Sequence, residues 1–226
     1  TFNLDPKRIE AEITPSTTAI LPVHCYGNPC DVDAIDEIAK KHDLSVIYDA
    51  AHAFGVECHC GSILNHGDLS VLSFHATKVF NTFEGGAIVC RDRETKTRID
   101  QLKNFGFVDE TTVVATGING KMNELQAAMG LLQLKTIDSV IDRRRMISDR
   151  YKVELGGVKG IEIRSSDVRK RANYSYFPIL VGADYPLSRN GLYSALKSIG
   201  IHARRYFFPL ISSFPMYEEI NSRASC

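Results

Sequence analysis

The sequence has 226 residues, with 27 Lys+Arg balanced by 27 Asp+Glu, 44% hydrophobic and 24% charged residues. That balance gives no electrostatic reason to expect nucleic acid or an acidic membrane surface as a partner. No apolar run approaches the roughly 18 residues of a membrane span and no signal peptide is visible, so a cytoplasmic, membrane-free chain is expected. The length fits one large domain, or one domain and part of a second.

Asn3-Leu4-Asp5-Pro6 reads as a helix start, with Ile9 and Ile13 on one face. Thr18 to His24 reads as an apolar strand ending at the turn Tyr26-Gly27-Asn28-Pro29. Asp31 then caps a helix whose apolar face is Val32, Ile35, Ile38 and Ala39. Ser45 to Asp49 and Val71 to Phe74 are two further buried strands, and Glu84 to Cys90 another. Strand, helix, strand with near-continuous apolar strands predicts a mainly parallel α/β sheet with flanking helices. Asp92 to Phe105 reads as a helix. From Lys121 to Leu155 the pattern is helical almost throughout, with Met122, Leu125, Ala128, Met129, Leu132 and Leu134 inside and a break near Asp138. After Gly156-Gly157 come a strand over Tyr174 to Val181 and an amphipathic helix over Leu187 to Ser198 ended by Gly200. This predicts a large domain over 1–135 and a smaller α+β domain over 136–226. With no Met at the start and no closing element at Cys226, both domains are expected to be incomplete.

Six cysteines are too sparse and irregular for a disulfide scaffold, which predicts reduced thiols. Cys58-His59-Cys60, with His24 and Cys25 upstream, invites a zinc reading. Paired zinc ligands are usually separated by two to four residues, however, so no metal is expected there.

Ligands of parallel α/β sheets bind beyond the carboxyl ends of the strands. Asp49 and Ser73 each end a strand, and Lys78 follows in the next loop, so a carboxylate, a hydroxyl and an amine come to one sheet edge. A pyridoxal cofactor requires a lysine for the Schiff base, a carboxylate to keep the pyridine nitrogen protonated and donors for the phosphate. Once displaced by the incoming amine, the lysine can move the proton between substrate carbon and cofactor. Taken singly, each residue has a plainer reading. Lys78 could be a surface lysine, His52 a core histidine, Ser73 a loop cap, and Asp68 a turn residue. His75 could only shape the Lys78 loop, and Arg143-Arg144-Arg145 form a solvated helix face.

The segments Pro22-Val23-His24-Cys25-Tyr26-Gly27, Asp49-Ala50-Ala51-His52-Ala53, Gly67-Asp68-Leu69-Ser70, Ser73-Phe74-His75-Ala76-Thr77-Lys78, Glu84-Gly85-Gly86-Ala87 and Met122-Asn123-Glu124-Leu125-Gln126-Ala127-Ala128 resemble the DegT/StrS-type sugar aminotransferases. The resemblance covers most of the chain in the right order. It implies an aspartate-aminotransferase-like, fold-type-I architecture, pyridoxal 5'-phosphate as cofactor and a nucleotide-linked keto sugar as substrate.

Residue by residue, the resemblance implies that Lys78 is the Schiff-base lysine and Asp49 pairs with the pyridine nitrogen. It sets His52 near the cofactor ring and its phenolic oxygen, and Ser73 on the phosphate. Asn119 would reach the phosphate of a neighbouring subunit in a homodimer with shared sites, although Ile118 and Gly120 stand where the family has aromatic residues. Arg204 and Tyr206 would line the sugar site. The family's early phosphate loop would precede Thr1.

The run Ser73 to Phe80 looks most like enzymes making dTDP-4-amino-4,6-dideoxyglucose for surface polysaccharide such as O-antigen, with glutamate as donor. Amination at sugar carbon 3, pyridoxal-dependent sugar dehydration and a cofactor-binding relative without turnover are the competing expectations. The dehydratases carry histidine in place of the lysine, so Lys78 speaks against that class.

Overall fold

The computed structural model describes residues 2–164 and 171–217. Its contacts divide into two compact units, Thr1–Gly156 with Ile163–Pro178, and Gly157–Glu162 with Ile179–Cys226.

In the first unit, Asp5 accepts the Lys7 amide at 3.1 Å and starts α1 (Pro6–Glu12), which buries Ile9. β1 (Ala19–Ile20) is shorter than the predicted strand, because at Leu21-Pro22 the ladder is interrupted and pairing resumes only at a bridge between Val23 and Asp49. Asp31 accepts the Ala34 amide at 3.2 Å to begin α2 (Val32–His42), whose Val32, Ile35 and Ala39 are buried as the 3.6-residue period requires. β2 (Ser45–Asp49) occupies the predicted residues. A small hairpin, β3 (Glu57–Cys58) and β4 (Gly61–Ser62), precedes β5 (Leu69–Ser73) and β6 (Gly86–Cys90). α3 (Arg93–Leu102) is capped by Asp92, and α4 (Glu124–Leu134) by a reciprocal pair between Asn123 and Gln126. α5 (Ile137–Leu155) completes the unit's helices.

The main sheet runs β1-β2-β5-β6. β1, β2 and β5 are parallel, while β6 returns antiparallel to β5 with Ser73 opposite Gly86. The carboxyl ends of three strands and the start of a fourth therefore share one edge. One sheet face carries Val46, Tyr48, Ser70 and Leu72, all buried. Asp68 fixes the entry to β5, its carboxylate accepting the amide of Val46 on β2 at 2.8 Å, a long-range tie between strands and not a contact within its own turn.

Two expectations need correction. The strands are not buried on both faces: Val71 and its register partner Ile88 are 39% and 45% exposed, because the helices that pack do so against the Tyr48 face. α4 does not turn its leucines inward. Leu125 is 83% exposed, with Leu131, Leu132 and Leu134 also exposed, while the helix is buried at Gly130. A Cβ at Gly130 would meet Thr82 Cγ2 at 3.1 Å, so any larger residue requires the Thr82 side chain or the helix to give by a few tenths of an ångström. The first compact unit runs to Gly156, and α5 buries Ile137 and Ile141 in the same core. The helical break falls at Lys135-Thr136, beside the expected Asp138.

The second unit contains β8 (Ile179–Val181), its partner β7 (Ile161–Ile163) up to Glu162, and helix α6 (Arg189–Ser198), capped by Ser188. The strand expected over 174–181 is confined to Ile179–Val181, and residues up to Pro178 belong with the first unit. No helix of the described residues is long and apolar enough to cross a membrane.

Burial of two histidines sets an acid limit on this core. His24 is fully buried, stacks on Tyr48 at 4.6 Å and uses Nδ1 to accept the Cys30 amide at 3.0 Å. Desolvation pushes its pKa down to about 4, as it does for His52. The denatured chain takes up these protons near pH 6.5 and the folded chain only near pH 4. Stability is thus complete above pH 6.5 and falls as pH drops toward 4, by up to roughly 3 kcal/mol per histidine. Urea midpoints at pH 7.5 and pH 5 should differ accordingly, and His24→Gln should flatten the slope.

Candidate active site

Asp49 ends β2 and Ser73 ends β5. Asp49 is in register with Val71, two residues before Ser73, so both side chains emerge on the open face of the sheet. The chain then makes a closed excursion from Phe74 to Gly85. Phe74 donates its amide to the Gly85 carbonyl at 2.8 Å, and Thr82 donates to the Phe74 carbonyl at 2.9 Å. Phe54 stacks on Phe80 at 4.3 Å, Phe74 meets Phe80 edge-on at 4.9 Å, and Val79 is buried beside them. These apolar anchors on either side hold a turn of exposed residues, His75-Ala76-Thr77, that delivers Lys78. Gly85 closes the excursion at φ +141, where a Cβ would come within 2.7 Å of Thr82 Oγ1.

Lys78 is half-buried, and that burial lowers its pKa from the usual lysine value, opposed by the nearby Asp49 carboxylate. Asp49 Oδ1 accepts the Ala51 amide at 3.0 Å, which fixes the carboxylate at the strand end. His52 is nearly buried. Its Nδ1 accepts the Tyr26 amide at 3.1 Å, so the proton of the neutral ring sits on Nε2. Burial holds its pKa near 4, assisted by the Lys78 ammonium and opposed by Asp49, so the ring is neutral at physiological pH. The Tyr176 ring lies 4.7 Å from it.

The structure thus gathers Asp49, His52, Ser73 and Lys78 at one sheet edge. Ser73 Oγ accepts the His75 amide at 3.3 Å, so it also caps its loop. His75 shapes the turn through Thr77, whose hydroxyl lies 2.9 Å from Nδ1. Asn119 is exposed on the excursion between Asn104 and Lys121, bridged to Asn104, with no hydrogen bond or ion pair to the other four among the described residues. Arg204 and Tyr206 lie in the second unit, the guanidinium donating to the Tyr206 hydroxyl at 3.2 Å. A groove of about 670 Å³ between α5 and residues 174–177 holds none of these groups.

Asn173 was not legible in the sequence. Only 2% exposed, it donates through Nδ2 to the His52 carbonyl at 2.7 Å and the Phe54 carbonyl at 2.9 Å, and accepts the Ser175 amide at 3.1 Å. More than a hundred residues separate it from His52, and no local pattern marks it. Asn173→Ala should strand these backbone groups and cost about 2–3 kcal/mol, read from urea denaturation.

The DegT/DnrJ/EryC1/StrS aminotransferase family model matches residues 1–226. The chain belongs to this aminotransferase family. It is 60% identical over 93% of its length to a dTDP-4-amino-4,6-dideoxy-D-glucose transaminase of Shigella dysenteriae and 49% identical over 98% to one of Escherichia coli. It spans 58% and 60% of the length of those two relatives. The structure of DesI in the presence of its TDP-sugar product superposes with a TM-score of 0.90 at 38% identity, covering 96% of this chain and 56% of that one. A match of this extent shows the α/β fold of the family's aminotransferases, with its mostly parallel sheet and flanking helices.

Proposed function

We propose that this family member is a pyridoxal-phosphate-dependent aminotransferase that moves an amino group from glutamate to a nucleotide-linked 4-keto-6-deoxyhexose. The product would be dTDP-4-amino-4,6-dideoxyglucose, a cytoplasmic precursor of surface polysaccharide such as O-antigen. The observation that carries the reading is a half-buried lysine and a carboxylate brought to the carboxyl ends of adjacent parallel strands.

The donor set fits the cofactor. When bound, pyridoxal phosphate supplies an electron sink for the substrate carbon that loses its proton. Lys78, whose amine is freed of its proton more readily than a solvated lysine's, would hold the cofactor and serve as the base that moves the proton at the reacting carbon. Asp49 holds the proton of the pyridine nitrogen. His52 offers Nε2–H to the ring's oxygen without adding charge, because its titration lies near pH 4. Ser73 keeps its own O–H free to donate to phosphate while its oxygen accepts the His75 amide. Asn119 is assigned to the phosphate of a partner subunit, and Arg204 and Tyr206 to the sugar.

The homodimer reading is supported by apolar surface that one chain leaves uncovered, Leu125, Leu131 and Leu132 on α4 and Val113, Val114 and Ile118 on the Asn119 excursion. The test is an assay with pyridoxal phosphate and glutamate against dTDP-, GDP- and UDP-linked keto sugars, following 2-oxoglutarate. Turnover strongest with dTDP-4-keto-6-deoxyglucose is expected. Absence of 2-oxoglutarate with every sugar defeats the proposal.

A further inference from the structure

The hairpin β3–β4 turns through His59 and Cys60, and Gly61 follows at φ +122, a conformation that L side chains rarely adopt. That turn folds Cys60 back over Cys58, placing the two sulfurs 3.0 Å apart. From the segment leading into β5, His66 brings Nε2 to 3.3 Å from Cys58 Sγ and 3.2 Å from Cys60 Sγ. His59 has a ring nitrogen within 4.8 Å of both sulfurs, and its Nε2 lies 3.8 Å from Asp33. Both cysteines are free thiols, and the backbone of His66 is held by the buried Ser70, whose hydroxyl donates to its carbonyl at 3.3 Å.

We propose that Cys58, Cys60 and His66, with His59 as fourth ligand, form a structural binding site for a zinc-class divalent ion. Bonds of about 2.3 Å to sulfur and 2.0–2.1 Å to nitrogen set tetrahedral donors about 3.4–3.8 Å apart. The three converging atoms need to spread by less than about 1 Å to meet that geometry. Two thiolates and two imidazoles match zinc in softness, and the two thiolate charges neutralise the ion. Spacing alone argued against a metal because Cys-x-Cys is short. The hairpin turn supplies the missing convergence, and His66 is the ligand that the local motif did not contain.

The site is separate from the Lys78 group and independent of the proposed reaction. One ion would staple the hairpin to the segment that enters β5, the strand that carries Ser73 and leads to Lys78. On binding, the two thiols give up their protons to solvent and no electron is transferred.

The test uses the reduced protein with Co²⁺ alone as spectroscopic probe, then Zn²⁺. One equivalent of Co²⁺ should give sulfur-to-cobalt charge-transfer bands and tetrahedral ligand-field bands, both removed by Zn²⁺. Cys60→Ser and His66→Gln should each abolish the bands and weaken Zn²⁺ by well over the roughly tenfold typical of losing an outer partner of a ligand. Cys90→Ser, outside the cluster, should leave them unchanged. Cys60 is exposed, so its replacement should keep the fold, and circular dichroism checks this. Zn²⁺ should raise the melting temperature of the parent and not of Cys60→Ser. Co²⁺ bound without thiolate bands, bands that survive Cys60→Ser, or a Cys58–Cys60 disulfide that persists under mild reductant would each overturn the proposal.

Discussion

Lys78→Ala should abolish the absorbance of a lysine-linked cofactor and lower turnover by more than about a thousandfold, since on the proposed assignment the variant has neither the attaching amine nor the proton carrier. The substitution should spare the fold. Lys78 is half-exposed, and the loop is held by Val79, Phe80 and the backbone bonds at Phe74 and Gly85 rather than by the lysine itself. Lys78→Arg separates charge from chemistry. It restores a cation beside Asp49, but a guanidinium stays protonated and cannot attach the cofactor, so activity should stay lost. Absorbance spectra with single-turnover kinetics check both variants. A Lys78→Ala protein that keeps the band and the turnover refutes the assignment.

Asp49→Asn is nearly isosteric but removes the charge that would hold a proton on the pyridine nitrogen. Turnover should fall by about 10²–10³, the scale of losing one preorganised electrostatic group, with a smaller change in KM. The pH profile should move as well, and its sign follows from the neighbours. Asp49 raises the pKa of Lys78 and of His52 against the lowering effect of burial. Without that carboxylate both groups release their protons at lower pH, so the limb governed by Lys78 shifts toward acid. A profile that keeps its position with undiminished turnover would place the carboxylate outside the reacting group.

Much of this arrangement was legible because it is local. The Asp31 cap, the residues of β2 and the lysine excursion between β5 and β6 each follow from short-range pattern, turn chemistry and alternation. Asp49, Ser73 and Lys78 came to one edge because parallel strands align their carboxyl ends. What escaped was non-local or depended on what one chain leaves uncovered. Periodicity placed the α4 leucines inside, yet it reports only that a helix has an apolar face and not what that face meets. Asn173 and His66 act across turns and distant segments, where no sequence spacing encodes the meeting.

The antiparallel return of β6 has a consequence for the order in which this edge can be built. The lysine excursion joins two strands that are neighbours in the chain, so its closure costs little chain entropy and needs only hairpin contacts. Asp49 reaches the same edge only after β2 pairs in parallel with β5, which requires the whole span from Ala50 to Asp68 to be looped out. Mutations at Phe74 and Phe80, both inside the excursion, should therefore weigh on an early local event, and mutations at Phe54 or along β2 on a late long-range one. On that ordering the amine should be in place before its carboxylate arrives.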